Sequence, residues 1–159
     1  MTEKARRGWI EKWLAELGVS DAPLPRAGVE LSVHFLHSWM PELDRVTIKG
    51  FLKGMDLSKP VTTAFLDVGA TLAAFRVVGG RQLGTFYTKP GTSAYLLGID
   101  PTDRVFRRFQ VFRRVLVLQS YATEFRVTSE GLRPASAYLA SGGGVQYIVP
   151  RATTVLKVI

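Results

Sequence analysis

Three stretches of the 159-residue chain hold residue types that could do chemistry: "SGGGVQYIVP", "AAFRVVGGRQLGTFYTKPGTSAYLLGI" and "VLVLQS". In the first, Gly142, Gly143 and Gly144 stand directly before a β-prone run whose second residue is Gln146. Glycine has the most backbone freedom to lose, so a triplet marks either a loose loop entering a strand or a close backbone approach to a ligand. In the second reading Gln146 points into the site. In the next stretch Arg76 sits within an apolar strand pattern, where an unpaired buried charge is costly. It lies on the solvent face, or at the edge of a cleft where its planar fork holds a phosphate. Aromatics next to hydroxyls follow in "GTFYT". Arg76, the Thr85–Tyr87 segment and Gln146 would come from three strands of one sheet, which is how a split cleft is assembled.

Other chemistries have little to work with. Cysteine is absent and His34 and His37 are the only histidines, a poor set for zinc or for a Ser-His-Asp triad. No metal is expected. The net charge of +8 and a pI near 10.1 favour polyanionic or acidic partners. The stretch "DRVFRRFQVFRRV" interleaves Phe106, Phe109 and Phe112 with Arg104, Arg107, Arg108, Arg113 and Arg114. It reads as a nucleic-acid surface, as a strand or short helix burying phenylalanines beneath solvated arginines, or as a landing site for an acidic inhibitor. No apolar run is long enough to span a membrane, so no membrane insertion is expected.

The elements that must position these residues change character near "MDLSKP". Before it the pattern is helical: "TEKARRGWIEKWLAELG" runs from a Thr2 cap to Gly18, burying Trp9, Ile10, Trp13, Leu14 and Leu17. "DAPLPRAG" reads as a linker. "VELSVHFLHSWM" and "PELDRVTIKGFLKGM" read as two more helices, the second with Pro41 in its first turn. After it come "VTTAFLDV", "TLAAFRVV", "GTFYT", "VLVLQSYATEFRVT", "VQYIVP" and "TTVLKVI", all strand-like. This predicts an α+β fold: a helical N-terminal region over 1–54, then a β-rich core over 55–159 with a split, mainly antiparallel sheet, together one globular unit.

The order of "MDLSKPV", "GTFYTKPGTSAYLLGI", "VLVLQSYA" and "GGGVQY" resembles the polymorphic-toxin C-terminal domains of type 46. More distantly it is similar to the tuberculosis necrotizing toxin, within the ADP-ribosyltransferase and NAD glycohydrolase superfamily. The resemblance covers about residues 54 to 152 and leaves out the helical first third. It implies a sheet of ADP-ribosyltransferase type and an interbacterial toxin that hydrolyses NAD or NADP to ADP-ribose (or its phosphate) and nicotinamide. It places Gln146 where transferases carry a catalytic glutamate, with Arg76 at the pyrophosphate or ribose. Phe86 or Tyr87 would stack on nicotinamide. Thr85, Ser120, Gly143, Gly144 and Tyr147 complete the expected dinucleotide contacts, although Ser120 reads equally well as a strand-end turn residue. Glutamine brings no negative charge, and Glu124 and Glu130 sit in no transferase spacing; both favour hydrolysis. The alternative is an ADP-ribosyltransferase acting on a protein or RNA of the translation machinery. The resemblance also implies delivery into the cytoplasm of a target cell and a cognate immunity protein, which the arginine stretch predicts to be acidic.

Overall fold

The computed structural model describes residues 2–80, 83–99, 101–126, 139–140 and 142–159. Three helices come first: α1 (Glu3–Leu17), α2 (Pro23–Trp39) and α3 (Arg45–Lys53). Helix α1 buries the expected stripe, with Ile10, Trp13 and Leu14 almost without exposure. It ends in a Schellman-type turn in which Gly18 takes φ 66 and the Val19 N–H donates to the Leu14 carbonyl at 3.0 Å.

Two helix boundaries differ from expectation. The segment expected as a linker already contains the start of α2. Pro23 and Pro25 fall in the first turn, where backbone N–H groups have no intrahelical acceptor, so proline forfeits nothing there. Conversely Pro41 lies outside α3. The helix begins four residues later because the Asp44 carboxylate accepts from the Thr47 N–H at 2.8 Å and caps it.

Nine strands follow among the described residues: β1 (Thr62–Leu66), β2 (Thr71–Val77), β3 (Phe86–Thr88), β4 (Arg104–Val111), β5 (Val115–Tyr121), β6 (Phe125–Arg126), β7 (Leu139–Ala140), β8 (Val145–Ile148) and β9 (Leu156–Val158). The run expected as one strand from Val115 to Thr128 breaks after Tyr121, and its last two residues lie outside the described ones. Seven strands form one sheet in the order β1-β5-β8-β3-β2-β4-β9, every neighbouring pair antiparallel; β6 and β7 form a separate ribbon. The expected α+β class with an antiparallel sheet is what the molecule has.

This sheet cannot be flat. Strands β1 and β2 lie four places apart, about 19 Å at ~4.8 Å per strand, yet only residues 67–70 join them, and an extended chain of that length reaches roughly 17 Å. The three residues between β4 and β5 face the same shortfall. The sheet therefore bends until the links meet. The Gly69 N–H donates to the Val111 carbonyl at 2.8 Å, the Val111 N–H to the Ala70 carbonyl at 2.9 Å, and Arg114 pairs with Asp67 at 3.1 Å.

Side chains alternate between two cores. On one face Leu118, Ile148 and the half-buried Leu116 and Phe86 pack against the helices. On the other, Leu72, Tyr87, Phe109, Val117, Tyr147 and Leu156 fill the inside of the bend. Each fully buried aliphatic contributes about 1.5–3 kcal/mol. The helices cover only the β5-β8-β3 portion of their face. The sheet is also weakest there: β2 and β3 share a single partnered pair, Ala73 with Thr88, whereas β2 pairs with β4 along its whole length.

Candidate active site

A cavity of about 660 Å3 opens where β2 parts from β3, under the C-terminal half of α3 and beside the 97–99 loop. Gln146, on β8, is its most constrained polar residue. Only 7% exposed, its amide nitrogen donates to the Gly54 carbonyl and to Ser120 Oγ, both at 3.1 Å. A carbonyl can only accept, so the Gly54 bond fixes which end of the amide is nitrogen. The amide oxygen is then the group left for a ligand. Ser120, 1% exposed, holds Gln146 in place and is not part of the cavity wall.

Arg76 lines the cavity from the split: its side chain leaves β2 on the face of Leu72 and Ala74, opposite that of Gln146, and fills the gap between β2 and β3. The Thr85 carbonyl accepts from the Val149 N–H, so by alternation the Phe86 carbonyl faces the departing β2. Arg76 Nη2 donates to that oxygen at 2.9 Å, replacing a ladder bond the split removes. Its guanidinium lies 4.7 Å from the Tyr87 ring centroid and 5.7 Å from that of Phe109. Gly84 makes this fit possible, since a Cβ there would come within 3.3 Å of Arg76 Cζ.

The aromatic pair expected to stack on nicotinamide divides between the two faces. Phe86 lines the cavity in edge contact with Phe51, centroids 5.0 Å apart. Tyr87 points to the inner core, between Arg76 and the edge of Phe109, with its hydroxyl tied to both backbone groups of Gly84. Burial raises the Tyr87 hydroxyl pKa, with the Arg76 charge opposing. Thr85 and Thr88 line the cavity, Thr88 Oγ1 donating to the Val145 carbonyl at 2.7 Å.

Three expected contacts lie elsewhere. Tyr147 follows Gln146 on the strand, so the pleat turns it to the opposite face, where it is 4% exposed and burial raises its pKa. Gly143 and Gly144 do not reach the cavity. Their N–H groups donate to the Ala122 and Leu96 carbonyls at 2.8 Å, and a Cβ on Gly144 would sit 2.9 Å from the Leu96 oxygen. Gly142, at φ 70, would push a Cβ to within 2.5 Å of the Thr123 backbone. The triplet lets protein backbone approach protein backbone, and in doing so sets the position from which Gln146 enters its strand.

The cavity also gathers residues that the sequence did not mark as contacts for a dinucleotide. Phe51 and Lys53 come from α3, Phe75 from β2, Arg104 from β4, and Glu124 from the segment after β5. The first two belong to the helical third, and Glu124 has no spacing signal. Glu130 lies outside the described residues. Within the arginine stretch, which is strand β4 and its exit, Phe109 alone of the three phenylalanines is buried; Phe106 and Phe112 are exposed with Arg104, Arg108, Arg113 and Arg114, while Arg107 is half-buried.

This chain has the fold of Tse6 as seen in "Structure of Tse6 in complex with Tsi6", with TM-score 0.69 and 21% identity over 87% of this chain and 98% of that one. A fainter likeness, TM-score 0.46 at 18% identity over 69% and 83%, links it to Rhs1-CT in complex with its cognate immunity protein RhsI1. No curated protein matches. The family model described as bacterial toxin 46 matches residues 6–148. That match starts inside α1, so the helical third lies within the family domain and not outside it as the sequence had suggested. The match takes in all or part of the three helices and the strands from β1 to β8, and the chain belongs to the bacterial toxin 46 family.

Proposed function

We propose that this toxin domain is an NAD(P)+ glycohydrolase. The observation that carries the reading is the Gln146 clamp, a buried amide fixed by two acceptors so that its oxygen is presented to a cavity of dinucleotide scale. In the reaction the bond between ribose C1′ and the nicotinamide nitrogen breaks. Its electron pair returns to the pyridinium, which leaves neutral, and positive charge develops on the ribose. Water adds at C1′ and loses a proton to solvent, giving ADP-ribose and nicotinamide. No strong acid is needed. The protein must hold the ribose hydroxyls, keep the nicotinamide in place and offer electron density near the developing cation. The Gln146 amide oxygen accepts from the ribose hydroxyls, Phe86 supports the nicotinamide, and Glu124 supplies the negative charge that Gln146 lacks. Arg76 faces the diphosphate from the split.

A second reading, transfer of ADP-ribose to a protein or RNA, gains from the same Glu124, because an exposed carboxylate at the cavity could align an acceptor. Incubation with NAD+ alone and with NAD+ plus lysate separates the two. Hydrolysis releases nicotinamide without lysate, while transfer labels macromolecules. Under either reading Gln146→Ala is expected to lower turnover by at least about a hundredfold while the thermal transition is kept. Undiminished turnover in the folded variant would refute the site.

Such an enzyme endangers the cell that makes it. A cognate immunity protein is therefore part of the proposal, supported by the Tse6 complex with Tsi6. Arg104 both lines the cavity and opens the arginine stretch, so one acidic partner can cover both.

A further inference from the structure

Among the described residues lining the cavity Glu124 is the one carboxylate, against Lys53, Arg76 and Arg104. Lys53, next to Gly54, shares the Gln146 end with Glu124, while toward β2 and β4 the lining charges are cations only. Gln146 on β8 marks one end, together with Glu124, which follows Ala122; the Ala122 N–H is bonded to the Gly144 carbonyl just ahead of β8. Arg104, the first residue of β4, marks the other. Between β8 and β4 lie β3 and β2, so the two ends are three strand spacings apart across the sheet, about 14 Å at ~4.8 Å each. Gln146 is in register with Thr88, Ala73 and Arg108, so Arg104 also lies four residues further along its strand, about 13 Å at ~3.3 Å each, and the backbone positions are roughly 19 Å apart. Arg76 occupies the middle, in the split between β3 and β2. Arg104 is exposed, and its guanidinium donates to the Phe75 carbonyl at 3.4 Å, the long limit for such a bond. No carboxylate among the described residues pairs with it. Its partner across the β2 ladder is Val77, which offers no charge.

A dinucleotide laid along this line has a definite polarity. Resting on the proposed function, the nicotinamide ribose takes the Gln146 end and its cationic ring the side of Glu124. The diphosphate then comes opposite Arg76. The second ribose, on the far side of the diphosphate, is carried toward β4. NADP+ differs from NAD+ only by a phosphate on the 2′-oxygen of that second ribose. We infer that Arg104 binds this 2′-phosphate and that the enzyme prefers NADP+ to NAD+. A guanidinium suits the task, because its paired N–H groups match two phosphate oxygens and it stays charged at any working pH. The weak bond to Phe75 is readily exchanged for one to a dianion.

The test measures nicotinamide release from NAD+ and from NADP+ by the full chain, wild type and Arg104→Ala, with the thermal transition of each recorded. The expected result is a higher kcat/KM for NADP+ in the wild type. In Arg104→Ala the NADP+ to NAD+ ratio of kcat/KM should fall about tenfold or more, mostly through KM, and Arg104→Lys should recover part of it. A wild type that hydrolyses both dinucleotides equally well, or an Arg104→Ala ratio unchanged from wild type, overturns the inference and leaves the glycohydrolase reading standing. Release from neither dinucleotide would remove both.

Discussion

One face of the sheet has two unlike halves. Along β5, β8 and β3 it presents the buried Leu118 and Ile148 and the half-buried Phe86 to the helices. Along β2 and β4 the same face carries Phe75, Val77, Arg104, Phe106 and Arg108, and nothing among the described residues covers it. The reverse face shows no such division, since its core runs from β5 through to β9. An ordinary two-layer domain covers the whole of one face. Here the cover stops one strand beyond Gln146, which is held within the covered half and lines the cavity at its edge. The seam between the halves is the cavity.

If the halves differ as described, equal truncations should cost unequal amounts. Leu118→Ala removes a fully buried side chain from beneath the helices and is expected to cost about 2–5 kcal/mol in denaturant unfolding. Ser120→Ala acts at the seam. It removes one of the two acceptors that fix the Gln146 amide, for about 1 kcal/mol of stability, but it should lower kcat for nicotinamide release about tenfold with KM little changed. A parallel rise in KM would mean that Ser120 acts on binding and not on the posture of Gln146. Phe106→Ala, on the open half, loses an edge contact with Phe75 at 5.5 Å and should cost no more than about 1 kcal/mol. A Phe106 cost matching that of Leu118 would erase the distinction between the halves.

How much of this could be read from the residues follows the same division. The buried stripe of α1, the switch from helix to strand and the antiparallel character of the sheet all follow from periodicity, because each is repeated over many residues. The start of α2 was hidden because prolines signal a break, whereas in a first turn they are neutral. The neighbouring placement of Arg76, Thr85, Phe86 and Gln146 was legible as three strands of one sheet. Their facing was less so. Phe86 and Tyr87 leave β3 on opposite faces, as a one-residue step along a strand requires, yet both line the cavity, Tyr87 at the split; Tyr147 lies in the inner core and away from it. The glycines were read as room for a ligand, but the groups crowding Gly142 and Gly144 come from residues 122–123 and 96, a contact no local pattern announces. Glu124 and Lys53 reach the cavity only through the bend of the sheet and the end of α3.

The place of β8 in the sheet has a consequence in time. It is the third strand across but the last but one to be made, and both of its neighbours, β5 and β3, precede it in the chain. Until residue 148 has left the ribosome those two strands have no partner between them, Ser120 has nothing to hold, and the carbonyl of Gly54 waits for a donor ninety-two residues downstream. Pairings this distant in sequence form slowly and late. The helices and the antiparallel β2–β4 pair can assemble early, but the Gln146 amide is not yet fixed on the growing chain. The clamp on Gln146 is thus among the last features of the domain to form, and whatever depends on that amide waits for a finished domain.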